Sequence, residues 1–142
     1  MSVPSIRVRS LNEVEVAEGD YVLHWMVAFR RPRWNFALQH AAARAAELDK
    51  PLVVLEALRV GYRWASDRLH RFILDGMRAH RSYLANQNVV YLPYVEPEAG
   101  AGRGLLEALA ERACLVVSDD YPTFFIPAMQ EAAASKIGAR LE

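Results

Sequence analysis

The sequence predicts one Rossmann-like α/β domain, a doubly wound parallel sheet with helices on both faces. Three observations predict it. Four short runs rich in Val, Leu and other strand formers alternate with segments whose apolar residues recur at helical spacing. The runs are nearly continuous in apolar residues, as in strands buried on both faces. Strand and helix alternate along the whole chain, which calls for parallel strands joined by right-handed crossovers.

The elements follow in order. Residues 1–20 carry Pro4 and a mix of Ser, Arg and Glu, and read as an extended or partly ordered lead-in. Residues 21–26 form a first strand, bounded by Gly19 and Asp20. Pro32 marks a loop, after which Phe36, Leu38, Ala42, Ala45 and Ala46 trace a helical stripe over residues 35–48. Pro51 ends that helix, because the residue before a proline avoids helical geometry. Residues 52–58 are a second strand. Residues 66–86 are a long helix with Ser66 as N-cap and a stripe of Leu69, Phe72, Ile73, Gly76, Met77, Tyr83 and Leu84. Residues 88–94 give a third strand, 97–104 a Gly-rich loop, 105–112 a short helix and 114–118 a fourth strand. A turn at 119–122 leads into a last helix over 123–137, with Pro127 near its first turn. Four strands therefore fit, within a domain spanning residues 21–140. The chain stops where the alternation would next call for a strand. Leu141-Glu142 also matches a restriction-site scar ahead of a purification tag.

Composition narrows the function. The 142 residues suit one domain, and 53% hydrophobic residues are enough for a packed core and too many for a disordered chain. Lys plus Arg (17) balances Asp plus Glu (17), which argues against a strongly basic nucleic-acid module while leaving room for a local patch. The single cysteine, Cys114, allows no internal disulfide and suits a reducing compartment. No apolar run reaches the roughly 20 residues of a membrane span, and the first residues lack a signal-peptide core. A soluble cytoplasmic domain with no membrane partner is the expectation.

In open parallel sheets, ligands bind beyond the carboxyl ends of the strands. The loops at 27–34, 59–65, 95–104 and 119–125 are therefore where function is expected. The first groups Arg30, Arg31 and Arg33 with Phe29 and Trp34, a lip for a planar or anionic ligand or a DNA backbone. The simpler alternative is a solvated loop. Gly100, Gly102 and Gly104 precede a helix, but their spacing fits neither a dinucleotide fingerprint nor a Walker loop, and a flexible connector is the preferred reading. Asp119-Asp120 could hold a metal or a cofactor's hydroxyls, or simply make a turn and cap the last helix. His24, His40, His70 and His80 are scattered without metal-ligand spacing, and Ser118 lacks a nucleophile elbow. No nucleophile, base and oxyanion hole assemble, so no catalytic residue is assigned.

Three segments together resemble the N-terminal domain of photolyases and cryptochromes, most closely the class II-type photolyases. The first is Trp25-Met26, then Arg31, then Asn35-Phe36-Ala37-Leu38. The second is the run from Arg68 to Met77, similar to an Arg-x-x-x-Phe-Met-Leu-x-Gly-Leu helix. The third is Leu115-Val116-Val117-Ser118-Asp119-Asp120-Tyr121-Pro122, similar to a Val-Val-x-Asp-x-x-Pro strand and turn. They occur in family order across residues 21–137. Ala28 and Phe29 stand where the family has Arg-Asp, and Trp34 stands where it has Asp, so the first loop is divergent.

The resemblance implies a five-stranded Rossmann-like domain that can hold a light-harvesting antenna, a folate or a deazaflavin. It implies that FAD, the electron-transfer tryptophans and the lesion pocket belong to a helical domain absent from this chain. That helical domain would be the direct partner, and damaged DNA a partner through the full-length protein, a light-driven lyase of pyrimidine dimers. The chain alone would not be catalytic. The candidate chromophore residues flanking the strand ends are Met26, Arg30, Arg31, Asn35, Glu56, Asp119, Asp120 and Phe124, of which Arg31 and Asn35 match the family pattern. Two other readings stay open: a stand-alone Rossmann-like nucleotide-binding protein, and a cryptochrome-type interaction domain.

Overall fold

A computed structural model describes residues 3–142. The strands are β1 (Tyr21–Met26), β2 (Leu52–Leu58), β3 (Val89–Val95), β4 (Ala113–Ser118) and β5 (Arg140–Leu141). The helices are α1 (Phe36–Glu47), α2 (Asp67–Leu84), α3 (Leu105–Ala110) and α4 (Ile126–Ala134). All five strands run parallel in the order β3-β2-β1-β4-β5. The expected doubly wound layer is therefore present.

Side-chain alternation along β1 divides the core. Val22 and Met26 point toward Ala41 and Ala45 of α1, together with Leu52, Val54, Leu115 and Val117. Leu23 points the other way, into a cluster with Ala110 of α3, Ala134 of α4, Ile137 and Leu141. Chain direction explains the split. The sheet grows one way from β1 through α1 and α2 and the opposite way through α3 and α4, and right-handed crossovers then put the two helix pairs on opposite faces. Pro93 sits in β3 without disrupting the sheet because β3 is an edge strand, where a missing N–H donor is tolerated.

The expectation of four strands needs correction. The fifth is two residues long, too short to show any periodicity, yet it is fully integrated. Leu141 is completely buried, Glu142 donates its N–H to Val116 O (2.9 Å), and Ser118 donates to Glu142 O (2.8 Å). The last helix is also shorter than expected, running from Ile126 to Ala134, with Pro127 in its first turn, where a proline costs no hydrogen bond.

The lead-in is ordered through most of its length. A 3-10 turn at Ser5–Arg7 gives way to extended chain. Asn12 pins it beside β5: its Nδ2 donates to Ala139 O (2.9 Å) and its Oδ1 accepts from Leu141 N (3.1 Å), while Leu11 N donates to Leu141 O (2.8 Å). Gly19 passes so close to β4 that a Cβ there would lie 2.7 Å from Cys114 N.

Helix α2 buries less of its stripe than the periodicity predicts. Met77, His80 and Leu84 are buried, whereas Phe72 is 77% exposed and Leu69 is also exposed. Length accounts for part of this. Its 18 residues span roughly 27 Å, whereas the seven residues of β2 span roughly 23 Å. The excess of about 4 Å is under one turn, enough for the first two or three residues of α2, Leu69 among them, to extend past the strand. No described helix is long and apolar enough to cross a membrane.

Candidate functional site

The strand order reverses between β1 and β4, so their carboxyl ends diverge into a crevice. A cavity of about 530 Å³ lies there. Its walls come from the β1 loop (Phe29, Arg31, Trp34), the start of α1 (Asn35, Phe36, Ala37, His40), the end of β4 (Val117 to Asp120), Gln130 of α4, Glu142, and the lead-in (Ile6 to Arg9, Leu11). The volume falls in the range that holds cofactors and other small ligands.

Two side chains shape the loop that forms one wall. Asp119 is 1% exposed, and its Oδ2 accepts three backbone hydrogen bonds, from Val27 N (2.8 Å), Ala28 N (2.7 Å) and Phe29 N (3.0 Å). Three consecutive amides turned onto one carboxylate form an anion-holding nest. Asn35, 7% exposed, fixes the other end. Its Oδ1 caps α1 by accepting from Leu38 N (3.0 Å), while Nδ2 donates to Phe29 O (3.0 Å) and Arg31 O (3.2 Å). Between them, Trp34 is held at a φ of 53°, 92% exposed on the rim.

The sequence-selected residues divide into two groups. Arg31, Asn35, Asp119 and Asp120 line the crevice. Met26 lies in the core against α1, 1% exposed. Arg30 turns toward β2, where it donates to Glu56 Oε1 (3.2 Å) and Ala57 O (2.6 Å). Glu56, also 1% exposed, sits beneath α2 and accepts from His80 Nδ1 (2.8 Å) and Tyr91 OH (2.6 Å). Burial, reinforced by the Glu56 carboxylate, pushes the Tyr91 hydroxyl well above its ordinary pKa. This network ties α2 to the sheet. Phe124 is exposed and makes an edge contact with Trp64, ring centres 6.4 Å apart. Of the arginine-aromatic lip, Arg31 remains at the crevice, whereas Arg33 stacks on Tyr83 with its guanidinium carbon 4.7 Å from the ring centre.

Asp119 and Asp120 thus have different roles from a simple turn and cap. Asp120 is exposed and pairs with Arg9 at 3.3 Å. The wall supplied by Arg7, Arg9 and Leu11 was not selected at all. The lead-in has no pattern that ties it to residues more than a hundred positions away, and contacts such as the Asn12 pin, the Leu11–Leu141 bond and the Arg9–Asp120 pair bring it there.

Beneath the crevice floor, His24 is fully buried on β1. Its Nδ1 faces Val117 O at 3.1 Å, and a carbonyl only accepts, so Nδ1 carries the proton. Nε2 and Asp119 Oδ1 are both buried without a hydrogen-bond partner among the described residues. Burial holds the His24 pKa below its ordinary value, against the opposing pull of Asp119 and of the Val117 hydrogen bond.

The glycine connector is also more ordered than expected. Gly100 and Gly104 adopt φ values of 89° and 79°. The amides of Gly100 (2.9 Å) and Gly102 (3.2 Å) both donate to Glu96 Oε1, and Val60 N donates to Oε2 (2.9 Å). The Val60 hydrogen bond, joined by those of the glycines, holds the Glu96 carboxyl below the usual carboxylate range. A phosphate is not needed to explain these amides, since a carboxylate of the chain already satisfies them.

No protein-family model matches the chain. A deoxyribodipyrimidine photo-lyase of Methanothermobacter thermautotrophicus is 35% identical over 119 residues, covering 74% of this chain and 27% of that protein. The chain thus spans about a quarter of its relative's length. With that identity and a five-stranded, all-parallel α/β sheet that fits a photolyase N-terminal domain, the chain is a sequence relative of the photolyases.

Proposed function

We propose that the chain serves as the N-terminal antenna or scaffold domain of a light-driven deoxyribodipyrimidine lyase, and that the crevice between β1 and β4 holds the antenna, a folate or a deazaflavin. The observation that carries this reading is the crevice itself. It lies at the switch point, has the volume of a small-ligand site, and combines aromatic faces (Phe29, Trp34, Phe36) with guanidinium donors. A planar heteroaromatic ring suits such a lining, because aromatic and guanidinium faces both stack on π-systems. When bound, the antenna supplies absorption in the near-UV or blue. The chain's own residues hold and orient it: Asp119 and Asn35 fix the loop, and Arg31 and Phe36 offer contacts at the mouth.

In this reading the chain carries no repair chemistry of its own. FAD and the lesion site reside in a helical domain, and damaged DNA is engaged through the whole protein. Leu69 and Phe72 on the first two turns of α2, and the Trp64–Phe124 pair, are exposed apolar groups suited to packing against that domain. Reconstitution tests the antenna role. The purified chain is mixed with an excess of a folate or a deazaflavin, passed through a gel-filtration column, and its absorption recorded from the near-UV to the blue. Co-elution of close to one equivalent of either compound supports an antenna domain. A colourless chain after both leaves a scaffold role only.

A further inference from the structure

We propose that the crevice selects ligands carrying an anionic tail, gripped by Arg7 and Arg31, with Asp120 standing in for that tail on Arg9 in the free chain; this rests on the crevice being the ligand site. Three guanidiniums line the cavity, from Arg7, Arg9 and Arg31. Arg9 pairs with Asp120 at 3.3 Å across the mouth. Arg7 and Arg31 have no carboxylate partner among the described residues. Instead each lies against an aromatic ring, Arg7 at 4.6 Å from the Phe36 ring centre and Arg31 at 5.3 Å from that of Phe29.

Stacking occupies the face of a guanidinium and leaves its edge donors free. Arg31 spends only Nε, on Trp34 O at 3.2 Å. The rings therefore hold two planar cations ready at the rim without neutralising them. The carboxylates nearby are committed elsewhere: Asp119 to the loop amides, and Glu142 to His40 (2.9 Å) and Arg140 (2.7 Å). The lining sets three arginines against Asp119, Asp120 and Glu142, so its formal charge balances, but the two guanidiniums at the rim, Arg7 and Arg31, are the ones without a carboxylate of their own. A planar ring can be received by the exposed Trp34 face, and a carboxylate or phosphate chain extending outward meets the two open guanidiniums. Arg9 sits on the lead-in beyond the Asn12 pin, and its bond to the 60% exposed Asp120 is weak enough to be exchanged for a tail anion.

Dissociation constants for paired probes test this by fluorescence quenching. Pteroate and its triglutamyl conjugate differ in a carboxylate tail; riboflavin and flavin mononucleotide differ in a phosphate. The tailed member of at least one pair is expected to bind about tenfold more tightly at low salt, the pair that shows it identifying the tail chemistry. In the Arg7→Gln/Arg31→Gln double variant that preference should fall below about twofold, with the untailed member unaffected and Arg33→Gln, away from the crevice, unchanged. Asp120→Asn should tighten only the tailed member. Equal binding of tailed and untailed probes, or a preference that survives the double variant, overturns the tail proposal and leaves the crevice reading intact. No binding by any of the four overturns both.

Discussion

Two adjacent aspartates make the sharpest prediction about how the crevice is built. Asp119 and Asp120 are chemically identical, yet one is 1% exposed and holds three backbone amides, while the other makes a single exposed ion pair. Replacing Asp119 by Ala removes three hydrogen bonds to a charged acceptor, each worth about 1.5–3 kcal/mol in isolation. Their sum overstates the loss, because residues 27–29 are only half-buried and water can reach part of the freed loop. A cost of about 3–5 kcal/mol follows, the range for breaking a buried charged network. For a domain of this size that is a fall of about 10–17 °C in melting temperature. Asp119→Asn keeps an acceptor but not the charge and should cost about half as much. Asp120→Ala should cost under about 1 kcal/mol, as exposed pairs do. Urea unfolding followed by far-UV circular dichroism and tryptophan fluorescence measures all three. An Asp119→Ala variant within about 1 kcal/mol of the parent, or an Asp120→Ala variant as damaging, would refute the reasoning.

Further predictions follow from single features. His24 is buried with its pKa below the ordinary 6.5, so the unfolded chain binds a proton that the folded chain refuses; stability should fall as the pH drops below about 6.5, by up to about 1.4 kcal/mol per unit. His24→Gln, measured by urea unfolding at about pH 7.5 and about pH 5.5, should flatten that slope, and an unchanged slope would assign it to other groups. Gly19→Ala should destabilise by about 2 kcal/mol or more, because its Cβ would lie 2.7 to 2.8 Å from the backbone of residues 112–114; a neutral result by thermal melting would mean the lead-in moves aside. Tyr91→Phe, which removes a 2.6 Å donor from buried Glu56, should cost about 1.5–3 kcal/mol by the same melt, with no effect on crevice binding.

Much of the fold was legible because its signals are local and repeated. Apolar runs mark β1, β2 and β4, Ser66 announces a helix start, and Pro127 marks the first turn of α4. The fifth strand was not legible, since two residues carry no period and Leu141 is specified only by what it packs against. The site divides along the same line. Residues next to strand ends are what the switch-point rule selects, and Arg31, Asn35, Asp119 and Asp120 line one crevice. That rule gives no direction for a side chain. Arg30 and Glu56 therefore looked like site residues although they serve the contact between sheet and α2. Arg7 and Arg9 were missed because the contacts that bring the lead-in to the crevice, those of Asn12 and Leu11 with residues 139–141 and of Arg9 with Asp120, join residues more than a hundred positions apart.

The central claim is that a planar ligand sits between β1 and β4, and amide chemical-shift mapping tests it most directly. The chain is labelled with nitrogen-15 and titrated with whichever folate or deazaflavin it retains. The account predicts that the shifted amides cluster at residues 29–37 and 118–120, with Arg7 and Arg9 among them. Shifts centred instead on the glycine loop at residues 96–104, or no shifts with either compound, would contradict it.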